Sequence, residues 1–162
     1  MTDQTTNDDS LDLATTTTYQ AGVVQAAAYR LLKRFTDDCL KEYGITTTQW
    51  FIIGTVLAAG DAGIRLTELS KQVDTTLSFL TNSVNLLESK GYLVRGEHSQ
   101  DSRSKVIYVP ASMRPKCLTI ESTLREKMRQ GLYRNIKPAD LQIYVKVLYQ
   151  LSQLNTAVDV TN

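Results

Sequence analysis

The sequence predicts a mainly α-helical chain with one small β-hairpin. Breakers are scarce, three Pro and eight Gly in 162 residues, which favours helices over a many-turned β-sandwich. Apolar residues recur at helical spacing in several stretches, and two β-branched, aromatic runs lie close together after residue 91. A chain of this length with 42% hydrophobic and 22% charged residues can bury one core and is expected to form a single domain.

Each element has its own signal. Residues 1–18 are Thr-, Asp- and Asn-rich and end in Thr15-Thr16-Thr17-Thr18, a disordered polar tail by composition. From Tyr19 to Tyr43, Val24, Ala28, Leu31, Phe35 and Cys39 form a helical stripe that Gly44 ends. Its apolar face is longer than a small domain covers, which suggests a partner subunit. Thr46 and Gln49 have capping-box spacing ahead of Trp50, Ile53 and Leu57. After the turn at Ala62-Gly63 comes a short helix from Leu66 to Val73. Asp74-Thr75-Thr76 then offers N-caps to a fourth helix whose Leu77, Leu80, Val84 and Leu87 should face the core, before Lys90-Gly91 stops it. Tyr92–Arg95 and Lys105–Val109 read as strands around a long polar loop of nine residues, closed by Pro110. Cys117, Ile120, Leu124 and Met128 mark a fifth helix, and Pro138 opens a sixth carrying Leu141, Tyr144, Val145, Leu148, Leu151 and Leu154.

Charge and reactive residues exclude several classes. The formal net charge is +1, but residues 88–137 hold eleven of the 18 bases against five acids, while residues 1–20 hold four acids and no base. Positive potential belongs to the second half. No signal peptide or long apolar run occurs, so a cytoplasmic protein without a membrane partner is expected. Cys39 and Cys117 lack chelating or C-x-x-C spacing and read as reduced core residues, and one His makes a metal site improbable. His98, Ser99, Asp101 and Ser102 contain the letters of a hydrolytic triad, yet neighbours in one polar loop cannot hold a productive geometry. No enzyme and no cofactor is expected.

Two short helices joined by a tight turn and followed by a hairpin form a winged helix-turn-helix, which lays a helix in the major groove of double-stranded DNA. With Leu80, Val84 and Leu87 inward, Thr75, Thr76, Ser78, Phe79, Asn82, Asn85 and Ser89 lie toward the other side. Asn can bond adenine, Ser and Thr can bond bases or phosphates, and Phe79 can meet a thymine methyl. Arg95, Lys105, Lys90 and Arg65 add positive charge near that face.

Ile45-Thr46-Thr47-Thr48-Gln49-Trp50, Leu66-Thr67-Glu68-Leu69, Leu87-Glu88-Ser89-Lys90-Gly91-Tyr92-Leu93-Val94-Arg95 and Asp101-Ser102-Arg103 together resemble the multiple antibiotic resistance regulator (MarR) family from about residue 20 to 155. The resemblance implies a transcription regulator, typically a repressor, working as a homodimer on a pseudo-palindromic site. Residues 19–44 and 111–155 would form the dimer body and 45–110 the DNA-binding region. It implies that Arg103 on the wing reaches a minor groove while Asp101 holds the loop by pairing with an Arg, and Arg suits that narrow, negative groove. It also implies a crevice for a small aromatic effector, which Tyr29, Tyr43 and Trp50 could line. The chain departs from the family at Asn82, where Arg is common, and at Val109-Pro110-Ala111-Ser112-Met113, in place of the usual Leu-Thr-x-x-Gly. The near-neutral charge and uncharged recognition face leave an alternative: a protein-binding module of the same fold without DNA affinity.

Overall fold

The computed structural model describes residues 14–98 and 101–154, with the backbone alone for His98 and residues 101–104. The chain divides at Thr47 into two compact units.

In the first unit, α1 (Thr18–Leu40) starts at a complete capping box: the Thr17 hydroxyl accepts the Gln20 N–H at 3.2 Å, and the Gln20 side-chain oxygen accepts the Thr17 N–H at 2.9 Å. Thr17 and Thr18 therefore belong to the helix and not to the polar tail, of which residues 1–13 lie outside the described residues. A 3₁₀ turn, Lys41–Tyr43, tightens the end, and Gly44 closes it in the left-handed conformation at φ 67°. Thr36 and Leu40 are buried, but Tyr19, Val23, Val24, Tyr29 and Leu31 are all exposed. Near its end Asp37 accepts the Thr47 N–H and hydroxyl, each at 2.7 Å, and the Lys33 ammonium at 2.7 Å. Burial pushes the Asp37 carboxyl up in pKa, but these donors outweigh it and hold it at about 2.

The second unit contains most of α2 (Thr47–Ala58), then α3 (Leu66–Gln72), α4 (Leu77–Ser89), an antiparallel hairpin β1 (Val94–His98) and β2 (Asp101–Tyr108), α5 (Arg114–Gln130) and α6 (Pro138–Gln153). Ile52, Ile53, Val56, Leu69, Leu80, Val84 and Leu87 are fully buried, the hairpin's Val106 and Ile107 are nearly so, and Ile120 and Cys117 extend the buried set along α5. Ile64 bridges Ile107 through two backbone hydrogen bonds of 2.9 Å, anchoring the root of the hairpin to the α2–α3 connection. Gly63 makes that approach possible: at φ +66° a Cβ would stand 2.8 Å from the Ile107 carbonyl oxygen. The Thr76 hydroxyl caps α4 by accepting the Phe79 N–H at 3.3 Å, and Gly91 at φ 76° ends the α4 region, its N–H reaching the Glu88 carbonyl at 2.9 Å.

Two expectations change. Leu77 is not a core residue: it is 46% exposed, because as the first residue of α4 it precedes the turn that is covered, and the buried row is Leu80, Ser83, Val84 and Leu87. The hairpin is also longer than its apolar runs. Pairing continues from Arg95↔Ile107 through Gly96↔Val106 and Glu97↔Lys105 to His98↔Asp101, so most of the expected polar loop is strand, while Tyr92 and Leu93 are buried ahead of β1. The ladder is held by backbone hydrogen bonds, which any residue but proline can make, so polar side chains do not break it.

Candidate nucleic-acid interface

The exposed side of α4 carries Ser78, Phe79, Asn82, Asn85 and Ser89, the complement of its buried row, as 3.6-residue periodicity requires. Thr75 is half-buried, and Thr76 is exposed with its hydroxyl engaged as the helix cap. Phe79 is 47% exposed, a large apolar ring on a polar face. The Ser89 hydroxyl donates back to the Leu86 carbonyl at 2.8 Å, leaving only its oxygen lone pairs for other partners.

Arg95 does not stand free on β1. Its guanidinium donates to the Asn85 side-chain oxygen at 2.8 Å and forms an ion pair with Glu88, so the first strand is tied to the last turns of α4. Sequence reasoning named Arg95 and Asn85 separately and missed the pairing, because Glu88 and Arg95 sit in different elements. The link fixes the wing root against the helix, and it offsets the positive charge that Arg95 would otherwise present. Lys105 is exposed and stands opposite Glu97 in the hairpin register; Lys90 and Arg65 are exposed as well. The side chains of Arg103 and Asp101 lie outside the described residues; their backbone runs in β2.

Behind the hairpin the unexpected Val109–Met113 junction is a turn, with the Met113 N–H on the Pro110 carbonyl at 2.8 Å. Arg114 leads into α5 and pairs with Asp61 of the α2–α3 connection. Lys127 and Arg129 are exposed on α5.

Of the aromatic residues considered for an effector, Tyr29 is 60% exposed and Tyr43 half-buried, both in the first unit. Trp50 is buried in the second, where it lines an open-sided cavity of about 630 Å³ with residues of α2, α3 and α5. Neither tyrosine lines that cavity. Cys117 is fully buried and burial pushes its thiol up, away from the reactive thiolate, whereas Cys39 is only half-buried and so is not a core residue. Among the described residues no cluster of His, Cys, Asp and Glu could hold a metal, and no helix is long and apolar enough to cross a membrane.

Residues 43–104 match the family model described as the MarR family. No curated protein matches the chain in sequence. Among solved structures, a mutant of MarR from E. coli complexed with operator DNA is 21% identical, with 80% of this chain and 91% of that one covered at a TM-score of 0.69. The S. aureus MepR–DNA complex is 22% identical over 82% of this chain and 96% of that one, TM-score 0.65. CouR from Rhodococcus jostii, bound to p-coumaroyl-CoA, is 14% identical over 81% and 90%, TM-score 0.71. The helix-turn-helix and wing, residues 43–104, thus match the MarR family, and the chain around them has the fold of these MarR-type structures.

Proposed function

We propose that the protein is a sequence-specific DNA-binding transcription regulator, a homodimeric repressor on a pseudo-palindromic operator that a small effector releases. The observation that carries this reading is the outward row of α4, Ser78, Phe79, Asn82 and Asn85, beside a paired hairpin, which is the geometry of a recognition helix with its wing. The similar E. coli MarR and S. aureus MepR structures hold DNA and the CouR structure holds an aromatic thioester, which supports DNA as the partner and a ligand as the signal. Asn82 is the direct reader, since its amide can pair with both adenine groups in the major groove. Arg103 supplies the wing contact, with Asp101 holding the loop by pairing with a nearby Arg, and Lys105 neutralises phosphate.

The homodimer is supported by α6. Ile143, Val145, Leu148, Tyr149, Leu151 and Leu154 are all exposed, a concentration of large apolar side chains on one helix of the kind that a partner subunit covers. Leu148→Asp should halve the mass seen in sedimentation while the helical circular dichroism persists, because Leu148 contributes little to the core of its own chain; an unchanged dimer mass would remove this face from the interface.

Fluorescence anisotropy with the protein's own promoter fragment and a scrambled one, at two salt concentrations, tests the reading as a whole. Promoter-selective binding that falls steeply with salt and weakens in Asn82→Ala and Arg103→Ala is expected. Equal, weak binding of both fragments would favour the protein-binding alternative, to which the absence of a cation from the exposed row of α4 lends its support.

A further inference from the structure

The 630 Å³ cavity has the size of a small-molecule site. Trp50, Phe51 and Leu57 of α2, Val73 after α3 and Leu118 of α5 give it apolar walls. Two features of the lining go beyond shape. Gly54 stands in the interior of α2, where glycine is disfavoured, and a Cβ built on it meets nothing within 4 Å. No neighbour requires the glycine; what its missing side chain leaves is open volume in the cavity wall. The second feature is charge, for the lining holds two acids, Asp74 and Glu121, and no base. Glu121 is already paired with Arg125 at 2.8 Å. Asp74 is exposed at the rim and has no ion pair among the described residues.

Asp74 also occupies an unusual place in the backbone. It is the one non-glycine residue with positive φ among those described, at 48°, a conformation that costs an ordinary side chain energy and that Asp and Asn tolerate best. Two residues later Thr76 caps the recognition helix.

Building on the regulator reading above, we propose that this cavity is the effector site and that it takes a lipophilic cation, an aromatic body among Trp50, Phe51 and Leu118 with a protonated amine against Asp74. The ammonium meets the Asp74 carboxylate at the open rim, where water screens part of the attraction, and the aromatic rings add cation–π attraction. An anion of the same shape keeps the apolar contacts but is repelled by Asp74. Because the amine's counter-charge sits in the strained turn that starts α4, the bound cation favours one conformation of that turn over another, and this differential affinity is what an effector needs in order to move the recognition helix.

Trp50 is the chain's single tryptophan, so its fluorescence reports occupancy directly. The full chain is titrated at pH 7 with biphenyl-4-methylamine, biphenyl-4-methanol and biphenyl-4-carboxylate, exciting at the red edge where biphenyl does not absorb. The amine should bind at least tenfold more tightly than the carboxylate, with the alcohol between. Asp74→Asn, which retains tolerance for the left-handed conformation, should shrink that preference to about twofold. Gly54→Leu, which fills the open volume with a better helix former, should abolish the response to all three with circular dichroism unchanged. A carboxylate that binds as well as the amine, a preference that survives Asp74→Asn, or no fluorescence response at all would overturn the assignment. In the operator assay the amine should weaken the complex at least threefold in wild type; amine binding that leaves the complex intact would overturn the effector role. The fluorescence arm uses no DNA, so failure of operator binding itself counts against the regulator reading and leaves the cavity's charge preference to be decided by its own titration.

Discussion

Arg95 decides how much charge the α4–wing surface presents. Held by Glu88 and Asn85, it is spent on internal pairing, and the Asn85 oxygen that could accept from adenine is already in use. Glu88→Gln should release the guanidinium toward phosphate, tightening DNA binding and steepening the log–log salt slope by about 0.9, the contribution of one neutralised phosphate; an unaltered slope would show Arg95 to be outside the DNA's reach. Asp37 is a second residue with a measurable signature. Its carboxyl is lowered from 3.8 to about 2, so the stability it contributes is complete above pH 4 and is lost as pH falls through 2. The shift corresponds to about 2 kcal/mol. In urea melts, Asp37→Asn should be less stable than wild type by about that amount at pH 7 and indistinguishable from it near pH 2. Neither network was legible in the sequence. Asp37 lies ten residues before the helix start it serves, and Glu88 and Arg95 meet only because Gly91 turns the chain between them.

The elements themselves were largely legible, and for local reasons. Thr76 before an apolar stripe, Pro138 at the first position of α6 and Gly44 beyond α1 are signals that act within one turn, and the structure uses each of them. Thr76→Ala should cost about 1 kcal/mol in thermal or denaturant unfolding, the usual loss on removing a helix cap. The hairpin was legible only where it is apolar, since pairing of Glu97 with Lys105 leaves no hydrophobic alternation to read. Leu77 failed for the opposite reason: its side chain fits the heptad-like spacing, but its position at the helix start lies outside the covered turn. Gly63, at the Ile64–Ile107 bridge, should be intolerant. Gly63→Ala must either strain a positive φ or push the Ile107 carbonyl away, and a loss of at least about 1 kcal/mol is expected by the same unfolding measurement.

For the molecule as a whole, the small net charge of +1 conceals cations tied up in pairs, Arg95 with Glu88, Arg114 with Asp61 and Arg125 with Glu121. On the proposed regulator reading, discrimination should then come from specific contacts of α4 more than from a broad positive field, and DNA of unrelated sequence should bind poorly at physiological salt. The apolar stripes on α1 and α6 were visible as patterns, but a pattern cannot say whether its cover comes from the same chain. The exposure of α6 along its length answers that for its own chain and points outward.

That uncovered helix has a consequence for control. If the protein is the regulator proposed and its DNA-binding form exists only once two copies have joined through α6, operator occupancy at low abundance grows with the square of the protein's concentration. A twofold drop in synthesis then yields nearly a fourfold drop in occupancy, and the gene under its control responds to the supply of regulator as a threshold rather than in proportion.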